Sequence, residues 1–426
     1  MVKKIGFMLL CLVTSGLCAQ EGSVSPYSYF GVGDNRAKGT VENQMMGGIG
    51  LFADSIHINH KNPAALGKLG VQFGEDFGIT TYAAGVSHKM LRLKSYTEQQ
   101  SATLTNLEYL SLAFSLKKGW GLGFGVMPYS AVGYNLASVS NDSLVTNRYE
   151  GTGGLNRVYL STGYQFAKNW SVGVTANFNF GTLEYTRIQG VDGVQFGTLD
   201  ERTSRINGVD FNYALNYTPI FKDKYQLVAS FRINTQANLA AENNKKVGSF
   251  SLVNGQDIEV LNVDLDAQGL RRTELKIPTT ATFGLGYGEH RKWFVGAEYS
   301  FQGMSSFSND FLGVENLEYK DASSLALGGF YIPNQAAFDG YFNRVAYRAG
   351  IRLDKTGMVV NNTDINNFGI TFGLGLPLGR TFSNMNLGFE LGRRGTTSAD
   401  LLEESYFKIN IGMSFNDQWF RKRKIN

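Results

Sequence analysis

The side chains able to do chemistry in this chain are scattered charges. Arg344, Arg348 and Arg352 recur at every fourth residue, a spacing that keeps all three on one face of a strand, because strand side chains alternate. Glu298, Glu390 and Lys408 fall on the same inward phase of nearby stretches, and Arg157, Asp210 and Arg232 on others. Such guanidinium groups can grip an anionic head such as a carboxylate. Equally, they can pair with carboxylates in a structural network, since a charge left unpaired in a confined interior is costly. Both readings stay open on sequence alone. His57 and His60 have the spacing of a metal pair, but no third ligand is near and no helix is evident. Gly121, Gly123 and Gly125 imitate a nucleotide loop, yet no helix pattern follows. Neither a G-x-S-x-G elbow nor an HExxH motif occurs, so no enzyme, cofactor or metal is expected.

Met1 to Ala19 reads as a signal peptide: Lys3 and Lys4, an apolar run from Ile5 to Val13, then small residues before Gln20. A lipid anchor at Cys18 would want a small residue before it, and Leu17 is bulky. Both cysteines, Cys11 and Cys18, leave with the leader, so the exported chain holds no disulfide, cysteine metal site or thiol nucleophile. The formal charge of +4 drops to +2 with the two leader lysines. That balance does not suit a nucleic-acid binder.

The elements that must carry these charges are strands. Tyr406 to Phe415 sets Phe407, Ile409, Ile411, Met413 and Phe415 on one face and Tyr406, Lys408, Asn410, Gly412 and Ser414 on the other. One such alternation fits a soluble sandwich as well as a barrel. Here it recurs about fourteen times, over residues 70 to 84, 104 to 117, 120 to 136, 156 to 167, 170 to 186, 204 to 218, 224 to 238, 274 to 287, 292 to 303, 321 to 332, 343 to 354, 366 to 378, 384 to 393 and 404 to 415. Links between them alternate short (117 to 119, 167 to 169, 219 to 222, 288 to 291, 379 to 382) and long and polar (137 to 155, 187 to 203, 239 to 273, 304 to 320, 355 to 365). A sandwich has no reason to segregate loop length; an outer-membrane barrel does, with short turns periplasmic. Gly at 51 residues, Phe at 30, Tyr at 21 and Pro at only 7 suit that class. Lys118 with Trp120, Lys168 with Trp170, and Arg291 and Lys292 with Trp293 sit where a headgroup-level belt belongs. Glu75 falls on the lipid-facing phase between Phe73 and Phe77; a bulge, a shift of phase or a protein partner would each account for it.

Residues 20 to 68 lack the alternation and are too short and glycine-rich to fold alone. Gly47, Gly48 and Gly50, followed by Asn62, Pro63 and Ala64 just before the first strand, resemble the hatch of the FadL/TodX (OmpP1) family of outer-membrane transporters for hydrophobic compounds. Gly123 to Ser130 (GFGVMPYS) is similar to that family's third strand, with Pro128 at a break in pairing; Ser130 stands where the family usually has glycine. Gly328 to Asn334 and Tyr347 to Gly350 are similar to its late hairpin. The resemblance implies an all-β, fourteen-stranded barrel with a luminal hatch: leader 1 to 19, hatch 20 to 68, barrel 69 to 415, periplasmic tail 416 to 426. It implies passive passage of a hydrophobic small molecule, with capture by extracellular loops and exit through the wall near Pro128 into outer-membrane lipid. Arg344, Arg348, Arg352, Glu298, Glu390 and Lys408 would then touch ligand or hatch. A second reading, from the polar loops, Glu75 and a hairpin signal at Asn254-Gly255, is a structural barrel within a larger machine of outer-membrane or periplasmic proteins.

Overall fold

The computed structural model describes residues 22–36, 38–70, 78–140, 144–253, 256–312, 317–379 and 383–419. The leader, Glu75 and the Asn254-Gly255 pair lie outside the described residues.

Fourteen spanning strands form one closed antiparallel sheet. They are β1 Gly78–Lys94, β2 Gln99–Lys117, β3 Trp120–Ala131 resuming as Tyr134–Val139, β4 Val145–Ala167, β5 Trp170–Val191, β6 Phe196–Tyr217 and β7 Tyr225–Asn234 resuming as Ala237–Ser251. The remainder are β8 Arg272–Ile277 resuming as Thr280–Glu289, β9 Trp293–Gln302, β10 Ala322–Tyr331, β11 Ala346–Val360, β12 Thr363–Pro377, β13 Asn384–Gly395 and β14 Glu403–Trp419. Consecutive strands pair, and β1 closes on β14 from Gly78↔Trp419 to Lys94↔Glu403. Closure leaves the spanning sheet without a terminal edge strand.

The pleat sorts the side chains as the alternation predicts. On β5, Val172 and Phe178 face outward, whereas Ser171, Thr175 and Asn177 are buried inside. On β14, Ile411 and Phe415 face outward and Lys408, Asn410 and Ser414 inward. No described helix is long and apolar enough to cross a membrane; the outward strand faces supply the apolar surface instead. The chain is therefore an outer-membrane β-barrel. Trp170 packs on Tyr217 and Trp293 on Tyr287 at the short-turn end, taken as periplasmic. There the Lys117 ammonium lies over the Trp120 ring at 5.4 Å.

Three expectations need correction. Most of the segments 137 to 155, 187 to 203, 239 to 273 and 355 to 365 are strand, not loop: β4 to β7 and β11 extend well past the membrane and turn tightly at 192–195 and 361–362. In these extensions polar residues occupy much of both strand faces, so the apolar alternation that marks a spanning stretch fades while the ladder continues, although Tyr149, Leu239 and Ala241 still pack inward. At the other end β14 runs on to Trp419, so residues 416–419, assigned to the tail, are strand. Among the described residues the first strand covers Gly78–Lys94, running past the anticipated end at 84.

The N-terminal segment, residues 22–36 and 38–70 and called the hatch below, packs against inward-facing residues of the wall. It has one short helix, α1 (Val41–Gln44), closed by a capping box between Thr40 and Asn43, and two 3-10 turns, Pro26–Tyr29 and Pro63–Lys68. Its apolar residues Val41, Met45, Leu66 and Leu69 form a core with inward Tyr109, Ala113 and Tyr159 of the wall. So small a segment gets its hydrophobic partner from the barrel rather than from itself.

Candidate functional site

Glycine on both surfaces brings hatch and wall together. Gly47 and Gly48 have φ of +69° and +88°, a region costly for other residues. A Cβ on Gly47 would stand 2.7 Å from the carbonyl oxygens of Leu327 and Ile351, and one on Gly350 would strike the Gly47 amide at 2.1 Å. A Cβ on Gly50 would meet the Arg232 guanidinium. Asn62 is fully buried and its amide donates to Asn216 Oδ1 at 3.1 Å and Ser230 Oγ at 3.3 Å. Pro63 starts the following 3-10 turn, where its missing N–H costs nothing. Ala64 then presses on Gly173 of β5. The six hatch-motif residues thus sit against the wall.

Polar groups complete the joint. Thr371 on β12 accepts from the Gly47 amide at 2.9 Å and donates to Met45 O at 3.0 Å. Glu298 on β9 accepts from the Gly50 amide at 2.9 Å and pairs with Arg232 of β7 at 2.6 Å. Arg232 in turn donates to Lys61 O at 3.2 Å. Lys408 on β14 donates to Gln44 Oε1 at 3.0 Å and pairs with Glu108 at 3.2 Å. Arg352 bridges Glu390 and Asp354, both at 2.8 Å, and Tyr406 donates to Glu390 at 3.0 Å. Arg348 donates to Asn386 Oδ1 at 2.9 Å, and Asn386 donates to Glu42 of α1 at 2.6 Å.

Of the luminal charges anticipated, Glu298 and Lys408 bond the hatch directly and Arg348 reaches it through Asn386, whereas Arg352 and Glu390 bond each other and the wall residues Asp354 and Tyr406. Arg157 and Asp210 pair at 2.9 Å beneath Tyr129. Arg344 is the exception. It belongs to a 3-10 turn, Tyr341–Arg344, ahead of β11, with its guanidinium over the Tyr341 ring at 5.7 Å. The extrapolated strand phase fails there because the ladder begins only at Ala346.

Glu108, Arg36, Lys38 and Asp354 escaped the sequence reading. Glu108 is the extra residue of a bulge opposite Gly85 and Val86, so it and Tyr109 both point inward, against the alternation. His57 bonds Asp54 through Nδ1 at 2.6 Å, and His60 bonds Ser111 through Nε2 at 2.8 Å. The two histidines thus have different partners. Burial pushes His60 down to about 3, which keeps it neutral. Burial works the other way on Asp34, yet Arg394 at 2.6 Å overrides it and holds the carboxyl at about 2.

Above the hatch is a chamber of about 540 Å³. Towards its mouth it is lined by Phe30, Met304, Phe307 and Met358, and towards the hatch by Lys38, Lys61, Lys89, Arg232 and Arg352. The arginines there have carboxylate partners. Lys61 instead donates to Gly48 O at 2.5 Å, Lys89 lies over the Tyr406 ring at 4.6 Å, and no described carboxylate lies within ion-pair distance of Lys38. Burial first, then the neighbouring Arg352 charge, pushes Lys38 down to about 7.

The wall breaks at Pro128. The β2–β3 ladder runs from Lys117↔Trp120 up to Leu110↔Val126 and stops there among the described residues. On its other side β3 slips register on β4 between Pro128 and Ser130. Beyond the break the β3 backbone turns to the hatch, whose Asp34 and Asn35 pair with Ala131 and Ser130. The Arg36 amide donates to Tyr129 O at 2.9 Å, while its side chain reaches Glu108 on β2 at 2.9 Å. Hatch residues 34 to 36 therefore bridge the inner side of the interrupted ladder. Ser130, where glycine was anticipated, is buried with an unpartnered hydroxyl.

Solved structures with this architecture include the toluene transporter TodX of Pseudomonas putida, at 15% identity, TM-score 0.59, covering 90% of this chain and 99% of that one. The Ralstonia pickettii toluene transporter TbuX matches at 14% identity and TM-score 0.58, covering 88% and 97%. A Pseudomonas aeruginosa FadL homologue matches at 12% identity and TM-score 0.52, covering 90% and 97%. At these identities the likeness establishes the fold, a FadL/TodX barrel. No curated protein matches by sequence. The family model described as BamG matches residues 1–426, and the chain is a member of the BamG family.

Proposed function

We propose that this barrel is a passive outer-membrane channel for hydrophobic small molecules that leave sideways through the wall at Pro128. The observation that carries the reading is the interrupted β2–β3 ladder, bridged from inside by hatch residues 34 to 36. An apolar solute gains by passing into lipid rather than water, on the order of 25 cal/mol per Å² kept dry, so no energy source is required. The aromatic and methionine mouth of the chamber suits an apolar body. Since Arg232 and Arg352 are occupied, an anionic head would meet Lys38, Lys61 and Lys89 instead. Replacing Pro128 by Val restores a ladder donor and should slow uptake of toluene or a comparable apolar solute into whole cells several-fold at equal amounts of folded barrel. Unchanged uptake removes the lateral exit.

A second reading, a structural barrel within a larger outer-membrane machine, rests on a different observation. The strand Asp257–Asn262 pairs with β7 along one edge only among the described residues, and Ile258 and Leu261 on it are 56% and 58% exposed outside the membrane. An uncovered edge of this kind invites a partner strand. Purification in mild detergent separates the two: a lone barrel carrying small apolar ligand supports the channel, and a stable set of co-purifying proteins supports the machine.

A further inference from the structure

The lipid-facing wall carries a basic patch at the seam where the first and last strands meet. The cross-strand register fixes its height. Leu391, Phe407 and Met90 lie in one row across β13, β14 and β1, all on the outward phase. In the next row up, Arg393 and Arg92 flank Ser405, and one row higher Lys94 stands opposite Glu403. Phe368 of β12, 40% exposed, is level with Arg393. The cations therefore begin where the apolar rows end, on the long-loop side, which is the height of the phosphate groups of the outer leaflet.

The charge balance there is lopsided. Arg92 and Lys94 are exposed, and the Arg393 side chain is 61% exposed although it pairs with Glu403. Glu403 pairs with Arg393, and no described carboxylate lies within ion-pair distance of Arg92 or Lys94, whereas Arg148 elsewhere on the wall has its own, Glu150, at 2.5 Å. Two guanidinium groups either side of a serine hydroxyl offer a fork of donors matched to phosphate oxygens. Basic residues at a membrane surface gain from anionic headgroups chiefly within a Debye length, so their position beside the apolar band is what makes them effective.

We infer that Arg92, Lys94 and Arg393 form a docking site for a phosphate-bearing lipid of the outer leaflet, its acyl chains lying along Met90, Phe407 and Leu391. This inference does not rest on transport; it holds for either reading above.

The test uses the purified barrel in dodecyl maltoside, with the heat at which its folded band is lost on a gel as readout. Phosphatidylglycerol or the phosphorylated glycolipid lipid A should raise that temperature by several degrees, at concentrations where a neutral galactolipid does not. In R92Q/K94Q/R393Q the shift should vanish, with binding roughly tenfold weaker or more. R92K/R393K keeps the charge and should retain most of the shift, which guards against a folding defect. E403Q removes the competing carboxylate and should enlarge it. Equal stabilisation by the neutral lipid, the same shift with inorganic phosphate alone, or a triple variant that responds like the parent would each overturn the site.

Discussion

Glu298 accepts from both Arg232 and the Gly50 amide, so removing its charge strips two buried donors at once. Glu298→Gln should loosen the hatch by about 3 kcal/mol, the usual cost of breaking a buried pair, seen as roughly hundredfold faster hydrogen exchange at hatch amides with the barrel still folded. The docked Lys38 titrates near 7 against the ordinary lysine value of 10.5. Between those values the undocked hatch holds a proton that the docked one has released, so docking should tighten as pH rises from about 7 towards 10 and gain nothing more from this group below 7. Replacing Lys38 by Met should flatten that part of the profile. Among single residues, Arg348, Arg352, Glu298, Glu390 and Lys408 were legible because each lies on an unbroken alternation. Glu108 was not, because a bulge resets the phase, and Lys38 was not, because the hatch has no period to count.

Where strands face lipid on one side and water on the other, the sequence announces them. This is why β9, β10 and β12 to β14 lie within a few residues of their anticipated spans. The extensions of β4 to β7 are the opposite case: mostly polar, they carry little hydropathy signal and are held by ladder bonds and by cross-strand ion pairs such as Lys245–Asp200 and Lys246–Glu201. The glycines of β10 and β11 have a role that periodicity could not assign, since what matters is the hatch backbone opposite. Gly350→Ala would place its methyl against the Gly47 amide. It should displace the hatch and raise protease cleavage within residues 38–70, while the barrel keeps its heat-modifiable mobility. Gly193→Ala, at a turn with open space around it, is the matched control and should leave cleavage unchanged; its positive φ of +76° costs only local turn strain.

For the molecule as a whole, the inward faces of the wall are largely polar. Deleting residues 22–70 should convert a nearly silent barrel into an open pore, read as a large rise in single-channel conductance in planar bilayers. A deletion barrel that stays silent would mean that the loops, not the hatch, close it. The charged lining also bears on what passes. Seven carboxylates among the described chamber residues are held by cations or hydroxyls, so ions would move through a chamber already furnished with fixed counter-charges.

The hatch precedes the barrel in the chain, yet several of its bonds are made to the last two strands. Gln44 reaches Lys408, Ser25 reaches Glu404, Asp34 reaches Arg394, and Glu42 reaches Asn386. The opening segment cannot be locked until the final hairpin has arrived. Biogenesis is thereby self-inspecting: a barrel arrested one hairpin short would be both unzipped along its seam and unplugged, and so open to periplasmic proteases at the two places a finished molecule protects.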